Sequence, residues 1–147
     1  MQVRDLPDIS GCLSLDRTQT VADALALMSG ASAVIVMDAA ANRPAGIFTE
    51  RDLVRCHTRF PDKPLSHVVL EQVMTENLIV AEPEDSVDDA MAMMMRGRIR
   101  HLPVVENQQI TGIIALEDLV KAHVGALTRE LHYLKDYITD LQDAAHD

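Results

Sequence analysis

The sequence predicts a mixed α/β fold (α+β): two β-α-β-β-α units packed as a pseudo-two-fold pair, followed by a long C-terminal helix. Three observations carry this. The chain repeats itself, because residues 13–28 align with 79–94 at an offset of 66; Val21, Asp23, Ala24, Ala26 and Met28 meet identical residues at Val87, Asp89, Ala90, Ala92 and Met94. At the same offset, GIFTERDLV (46–54) meets GIIALEDLV (112–120). Each copy carries short apolar runs of strand character beside a helical period, and the tail carries a heptad stripe found in neither copy. Two copies, each longer than most solenoid units, favour a closed pair over an open array. A closed pair encloses clefts, where small ligands bind.

The elements follow in order. A short extended segment (11–15; 78–81) leads into a polar turn ending at Thr20 or Ser86, hydroxyls suited to accept a bond from the free N–H groups of a first helical turn. Residues 21–28 and 87–95 then place apolar side chains at helical spacing, with Asp23, Asp88 and Asp89 at the positive end of the helix dipole. Runs rich in β-branched residues follow at 33–37 and 102–105; loops at 38–45 and 106–111 separate them from second runs at 46–49 and 112–115. These runs are almost continuously apolar, which predicts strands buried on both faces. A second helix begins near Glu50 and Leu116. The expected boundaries are a tail at 1–10, a first repeat at 11–57, a linker at 58–72 containing Pro61 and Pro64, a second repeat at 73–122, and a C-terminal helix at 123–147.

That last helix reads as amphipathic. Val120, Val124, Leu127, Leu131, Leu134, Ile138, Leu141 and Ala145 alternate spacings of 4 and 3, the a/d period of a coiled-coil seam. Two readings stand: the helix pairs with a partner helix, giving a homodimer, or it lies back on its own domain.

Composition limits the function. At 147 residues the chain can bury a real core, whereas one copy of roughly 60 residues would be marginal alone. Four aromatic residues, two Phe and two Tyr, leave that core to Val, Ile, Leu, Met and Ala; the methionines at 91 and 93–95 read as core filler. A net charge of −10 argues against nucleic acid or an anionic membrane as partner. Cys12 and Cys56 fit neither a disulfide framework nor a metal spacing, and the Cys56–His57 pair lacks an orienting third group. MQVRDLPDIS is no signal peptide, and no apolar stretch approaches the ~20 residues a membrane helix needs. A cytoplasmic protein is expected.

The motifs VMT (73–75), SVDDAMAMM (86–94), IRHLPVVE (99–106) and the paired GIFTERD and GIIALED resemble those of cystathionine-β-synthase (CBS) domains. The resemblance covers residues 11–122, and its specificity lies in the order of the motifs, met twice. It implies a disk of two repeats with two clefts, commonly occupied by adenosine-containing ligands: AMP, ADP or ATP, less often S-adenosylmethionine or NAD. In such families a G-h-x-[S/T]-x-x-D motif joins a strand to a helix. Its Asp accepts the ribose hydroxyls and its hydroxyl meets phosphate, which a helix N-terminus also attracts.

Carried over residue by residue, the first copy has the full motif, Gly46, Thr49 and Asp52. The second keeps Gly112 and Asp118 but has Ala115 in place of the hydroxyl. Arg100, His101 and Pro103 precede or open the second copy's strand, where the first has Ser32, Ala33 and Ile35. Resemblance to the nucleotide-sensing γ subunit of AMP-activated kinase groups Thr49 and Asp52 with Arg100 and His101 in one cleft. Asp118, Ala115, Ser32 and Ala33 fall to the other, so one competent site and one weak site are expected. Taken as plain chemistry, Asp52 and Asp118 also suit a first helical turn, and Pro103 a strand edge.

The expected function is a non-catalytic regulatory module that binds an adenine nucleotide and signals to a partner protein. The alternative is a constitutive dimerisation scaffold with vestigial clefts. No nucleophile–base pair or metal-ligand cluster is evident in the sequence to support an enzyme.

Overall fold

The computed structural model describes residues 1–6, 11 and 13–146; Cys12 lies outside them. Among the described residues nine strands and α-helices follow one another: β1 (Ser14–Asp16), α1 (Val21–Leu27), β2 (Ala33–Asp38), β3 (Arg43–Thr49), α2 (Glu50–Arg59), α3 (Val87–Gly97), β4 (His101–Glu106), β5 (Gln109–Ala115) and α4 (Leu116–His146). This is the α/β arrangement the repeat predicts.

The caps are where the hydroxyls placed them. Thr20 Oγ1 accepts the Asp23 N–H at 3.2 Å while the Asp23 carboxylate accepts the Thr20 N–H at 3.1 Å. Ser86 Oγ accepts the Asp89 N–H at 3.0 Å. Such caps satisfy donors that have no partner within the helix. α3 runs to Gly97, past its expected end, and stops at Arg98, which adopts the left-handed conformation with φ 53°.

The first sheet orders β1-β2-β3, with β1 parallel to β2 and β2 antiparallel to β3; the second pairs β4 with β5 antiparallel. The strand expected over 78–81 shortens to one parallel bridge, Ala81 against Val104. It sits where Leu15 pairs with Val36 in the first sheet. A register shift falls between Val36 and Met37 in one sheet and between Val104 and Val105 in the other. The symmetry therefore reaches the irregularities.

Strand residues face alternate sides. Val36 and Phe48 join Val21, Ala24 and Cys56 in the core under the first repeat's helices. Ala33, Ile35 and Ile47 point the other way and meet Ile113 of the second repeat. Two buried faces explain the continuous apolar runs. In the second repeat Leu102, Val104 and Ile114 pack with Val87, Ala90, Met94 and Leu119. Met91 and Met93 pack against that core, whereas Met95 is exposed.

The segments before each repeat are exchanged. Val3 and Leu6, expected in a tail, are buried in the second repeat's core, while Val68 and Leu70, expected in a linker, are buried in the first's. The bonds match: Val87 N–H to Met1 O and Val3 N–H to Asp85 O on one side, Val21 N–H to Val68 O and Leu70 N–H to Gln19 O on the other. Each helix is thus entered beside a segment that precedes the other repeat. Thr58 lies inside α2. Neither half closes its core alone.

α4 leaves this body after its first turns. Leu119 is fully buried, but the side chains of 127–145 are all exposed, so the helix does not lie back on its own domain.

Candidate ligand cleft between the repeats

A cavity of about 740 Å³ opens between the repeats, lined by Ser32, Ile47, Thr49, Glu50, Arg51, Val54, Arg55, Thr75, Gly97, Ile99, Arg100, His101 and Glu117. The β3–α2 junction brings Thr49, Glu50 and Arg51 to its wall, and the second repeat brings Gly97, Ile99, Arg100 and His101 from the α3–β4 connection. Glu117 comes from the first turn of α4. Arg51 Nη1 donates to the Arg98 carbonyl at 2.7 Å, a direct tie from one repeat to the other.

Thr49, Arg100 and His101 therefore share this cavity. Asp52 does not line it. Its side chain is 1% exposed. Oδ2 accepts the Thr49 N–H at 3.0 Å, and Oδ1 accepts the Thr75 hydroxyl at 2.9 Å with Arg55 Nη1 at 3.6 Å. The carboxylate lies below the cleft floor, holding the start of α2 to the 73–75 segment. Gly46 makes that approach feasible: a Cβ there would stand 2.6 Å from the Thr75 carbonyl oxygen and 2.9 Å from Met74 Sδ.

Ser32 stands in the same cavity as His101, not across from it in a second cleft: Ser32 Oγ and His101 Nε2 are 2.6 Å apart, the donor being set by the imidazole tautomer. Ser32 directly precedes β2 and His101 opens β4, and the strand ends meet where the repeats face each other. Pro103 is buried within β4, its carbonyl accepting the Ala81 N–H at 2.9 Å. Asp118 is half-buried in the first turn of α4. Neither lines this cavity.

Three arginines (51, 55 and 100) face the cavity against Glu50 and Glu117. In a chain of net charge −10 this is a local concentration of guanidinium groups, beside the N-terminus of the ten-residue α2. Burial lowers the His101 pKa below its ordinary value; Glu117 and Glu50 offset part of this and Arg100 adds to it. The imidazole is therefore neutral near pH 7.

Arg51 and Arg55 are not among the residues the sequence points to, and Thr75 enters there only as the end of the VMT motif. Arg51 and Arg55 are four residues apart on a helix opening at Thr49, so helical spacing places both on the cleft side. Among the described residues no group of three or more His, Cys, Asp or Glu could hold a metal ion. A second, more apolar cavity of about 520 Å³ lies along α2 and the loop after it, among Leu53, Val54, His57, Phe60, Lys63 and Leu65. It draws on the first repeat alone.

Paired β-α-β-β-α units with a cavity between them define a tandem-repeat fold. The CBS domain family model matches residues 3–58 and 70–125, and the chain belongs to that family. It is 34% identical over 122 residues to the Bacillus subtilis protein YlbB, covering 80% of this chain and 79% of that one. A CBS-domain-containing protein from Agrobacterium tumefaciens superimposes with a TM-score of 0.75 at 31% identity, over 84% of this chain and 99% of the other. The CBS domain pair of MJ0100, crystallised with 5′-methylthioadenosine and S-adenosyl-L-methionine, has a TM-score of 0.72 at 21% identity, over 86% and 98% of the chains, a likeness of fold. The chain spans only 46% and 22% of two Arabidopsis thaliana CBS-domain proteins, CBSX3 and CBSCBSPB2. Among the described residues no helix is long and apolar enough to cross a membrane.

Proposed function

We propose that this chain is a non-catalytic, cytoplasmic regulatory module that binds an adenosine-containing ligand of the AMP, ADP or ATP kind in the inter-repeat cleft. It signals occupancy to a partner protein and acts as a homodimer. The observation that carries the ligand reading is the convergence of Arg51, Arg55 and Arg100 on one cavity of an acidic protein. Guanidinium groups bind phosphate by paired, charge-assisted bonds. The adenosine ligands of the MJ0100 CBS pair support the same chemical class.

In this reading Arg100, Arg51 and the α2 N-terminus hold phosphate, Thr49 and Ser32 offer hydroxyls, and Ile47, Ile99 and Val54 give the base an apolar wall. A ribose diol reaches Asp52 by taking the place of the Thr75 hydroxyl on Oδ1. Occupancy would then loosen the 73–75 segment from α2, and phosphate would compete for Arg51, whose bond to Arg98 ties the repeats. Such a ligand switches the module only by favouring one repeat arrangement over another. Asp118 stands by Ala115, a weaker counterpart without the motif hydroxyl.

The alternative, a constitutive scaffold, draws on the sequestered Asp52 carboxylate. Thermal unfolding with AMP, ADP, ATP, S-adenosylmethionine and NAD separates the two. A ligand at 100 times its Kd adds about 2.7 kcal/mol of stability. At about 2–4 °C per kcal/mol for a chain of this size, that raises Tm by roughly 5–10 °C. Unchanged melting with every ligand leaves the scaffold.

A further inference from the structure

The C-terminal helix presents an apolar seam to solvent. Val124, Leu127, Leu131, Leu134, Ile138 and Leu141 are each 51–57% exposed and lie along one side of α4. Residues 124–145 extend about 33 Å at 1.5 Å per residue, three heptads, beyond the turns that pack on the second repeat. An uninterrupted stripe of this length on a monomer marks an interaction surface.

We infer that α4 pairs with α4 of a second copy of this chain as a parallel, in-register two-stranded coiled coil. This deepens the homodimer reading above and is independent of which ligand the cleft takes. The spacing assigns Val120, Leu127, Leu134 and Leu141 to d positions and Val124, Leu131, Ile138 and Ala145 to a positions. Leucine at d with β-branched residues at a favours two parallel strands over larger bundles. Leu127, Leu134 and Leu141 at d and Val124 and Ile138 at a meet that rule, whereas Leu131 departs from it at the centre and Val120 and Ala145 at the ends.

Charge selects the orientation. Glu130 occupies a g position and Lys135 the e position of the following heptad. In a parallel, in-register pair each g residue faces the partner's e residue five places on, so Glu130 meets Lys135 of the second copy, twice by symmetry. An antiparallel pair opposes e positions with one another. Those are Lys121, Thr128, Lys135 and Gln142, none of them acidic. The stripe side chains beyond residue 126 touch no core, so substituting them tests association without unmaking the fold.

Sedimentation velocity of the full chain is the first test, with a dimer expected. Leu131→Asp with Ile138→Asp should weaken it by about a hundredfold or more, since two charges per helix enter the seam. Glu130→Lys should weaken it by roughly fivefold to tenfold, and Glu130→Lys with Lys135→Glu should restore it. Leu141→Cys should form a covalent dimer with itself under mild oxidation, with the wild type as control for the native cysteines. A monomeric wild type, or a dimer untouched by Leu131→Asp with Ile138→Asp, overturns pairing through α4. A dimer in which Leu141→Cys cross-links to Val124→Cys and not to itself overturns the parallel register alone.

Discussion

Replacing Asp52 by Ala should destabilise the ligand-free protein, not merely empty a binding site. The carboxylate is 1% exposed and accepts both the Thr49 N–H and the Thr75 hydroxyl. A hydrogen bond to a charged group contributes about 1.5–3 kcal/mol. Thr49 and Thr75 are half-buried, so water recovers part of each loss, and removing a buried charge returns some desolvation cost. A net loss of about 2–3 kcal/mol results, or roughly 4–12 °C in Tm for a chain of this size. Thr75→Val should cost about 1 kcal/mol and, combined with Asp52→Ala, show a coupling of similar size. The assay is urea unfolding of the four ligand-free proteins in a double-mutant cycle. An Asp52→Ala midpoint equal to wild type would refute the reasoning, because the carboxylate would then be doing nothing for α2 or the 73–75 segment. The same reasoning makes Asp52→Ala a poor probe of ligand binding unless its folding is measured alongside.

Three further outcomes are expected. Gly46→Ala should lower stability by about 2–3 kcal/mol in the same unfolding assay, because its Cβ would meet the Thr75 carbonyl oxygen at 2.6 Å and push apart the paired Ile47–Thr75 bonds. Gln108→Gly should raise it by about 1 kcal/mol, since Asn107 and Gln108 form the two-residue β4–β5 turn with φ 53° and 64°, where a side chain is strained and glycine is not. His101 should make phosphate binding proton-linked. Burial lowers its pKa from the ordinary 6.5, so the neutral form favours folding above about pH 6.5 and that contribution fades as pH falls below it. A phosphate beside it pulls the pKa back up, so AMP binding should take up protons and strengthen from about pH 8 to 6. Titration in buffers of different ionisation enthalpy measures the uptake; its persistence in His101→Gln would assign it elsewhere.

The fold was legible because its determinants are local. Thr20 and Ser86 cap the helices their hydroxyls announce, and the runs around Ile35 and Leu102 are apolar throughout because one face meets helices and the other the opposite repeat. The exchange of residues 1–6 and 68–75 between repeats was not legible, since Val3 and Val68 sit in short segments without a period to reveal what they bury against. Residues 78–81 read as a strand, yet only Ala81 pairs. The site was harder. A carboxylate three residues after Thr49 has the same spacing whether it faces a ligand or caps its own helix, and only the structure puts Asp52 beneath the cleft. Ser32 joined His101 because the repeats face each other at those strand ends, a juxtaposition across 69 residues of chain.

The most direct test of the cleft is isothermal titration of AMP into the wild type beside Arg100→Gln, whose side chain is exposed at the cavity wall and spares the core. The account predicts about one site per chain, weakened roughly tenfold to a hundredfold by Arg100→Gln with an unchanged melting temperature. AMP binding that Arg100→Gln leaves intact, or no heat from the folded wild type with AMP, ADP, ATP or S-adenosylmethionine, would contradict it.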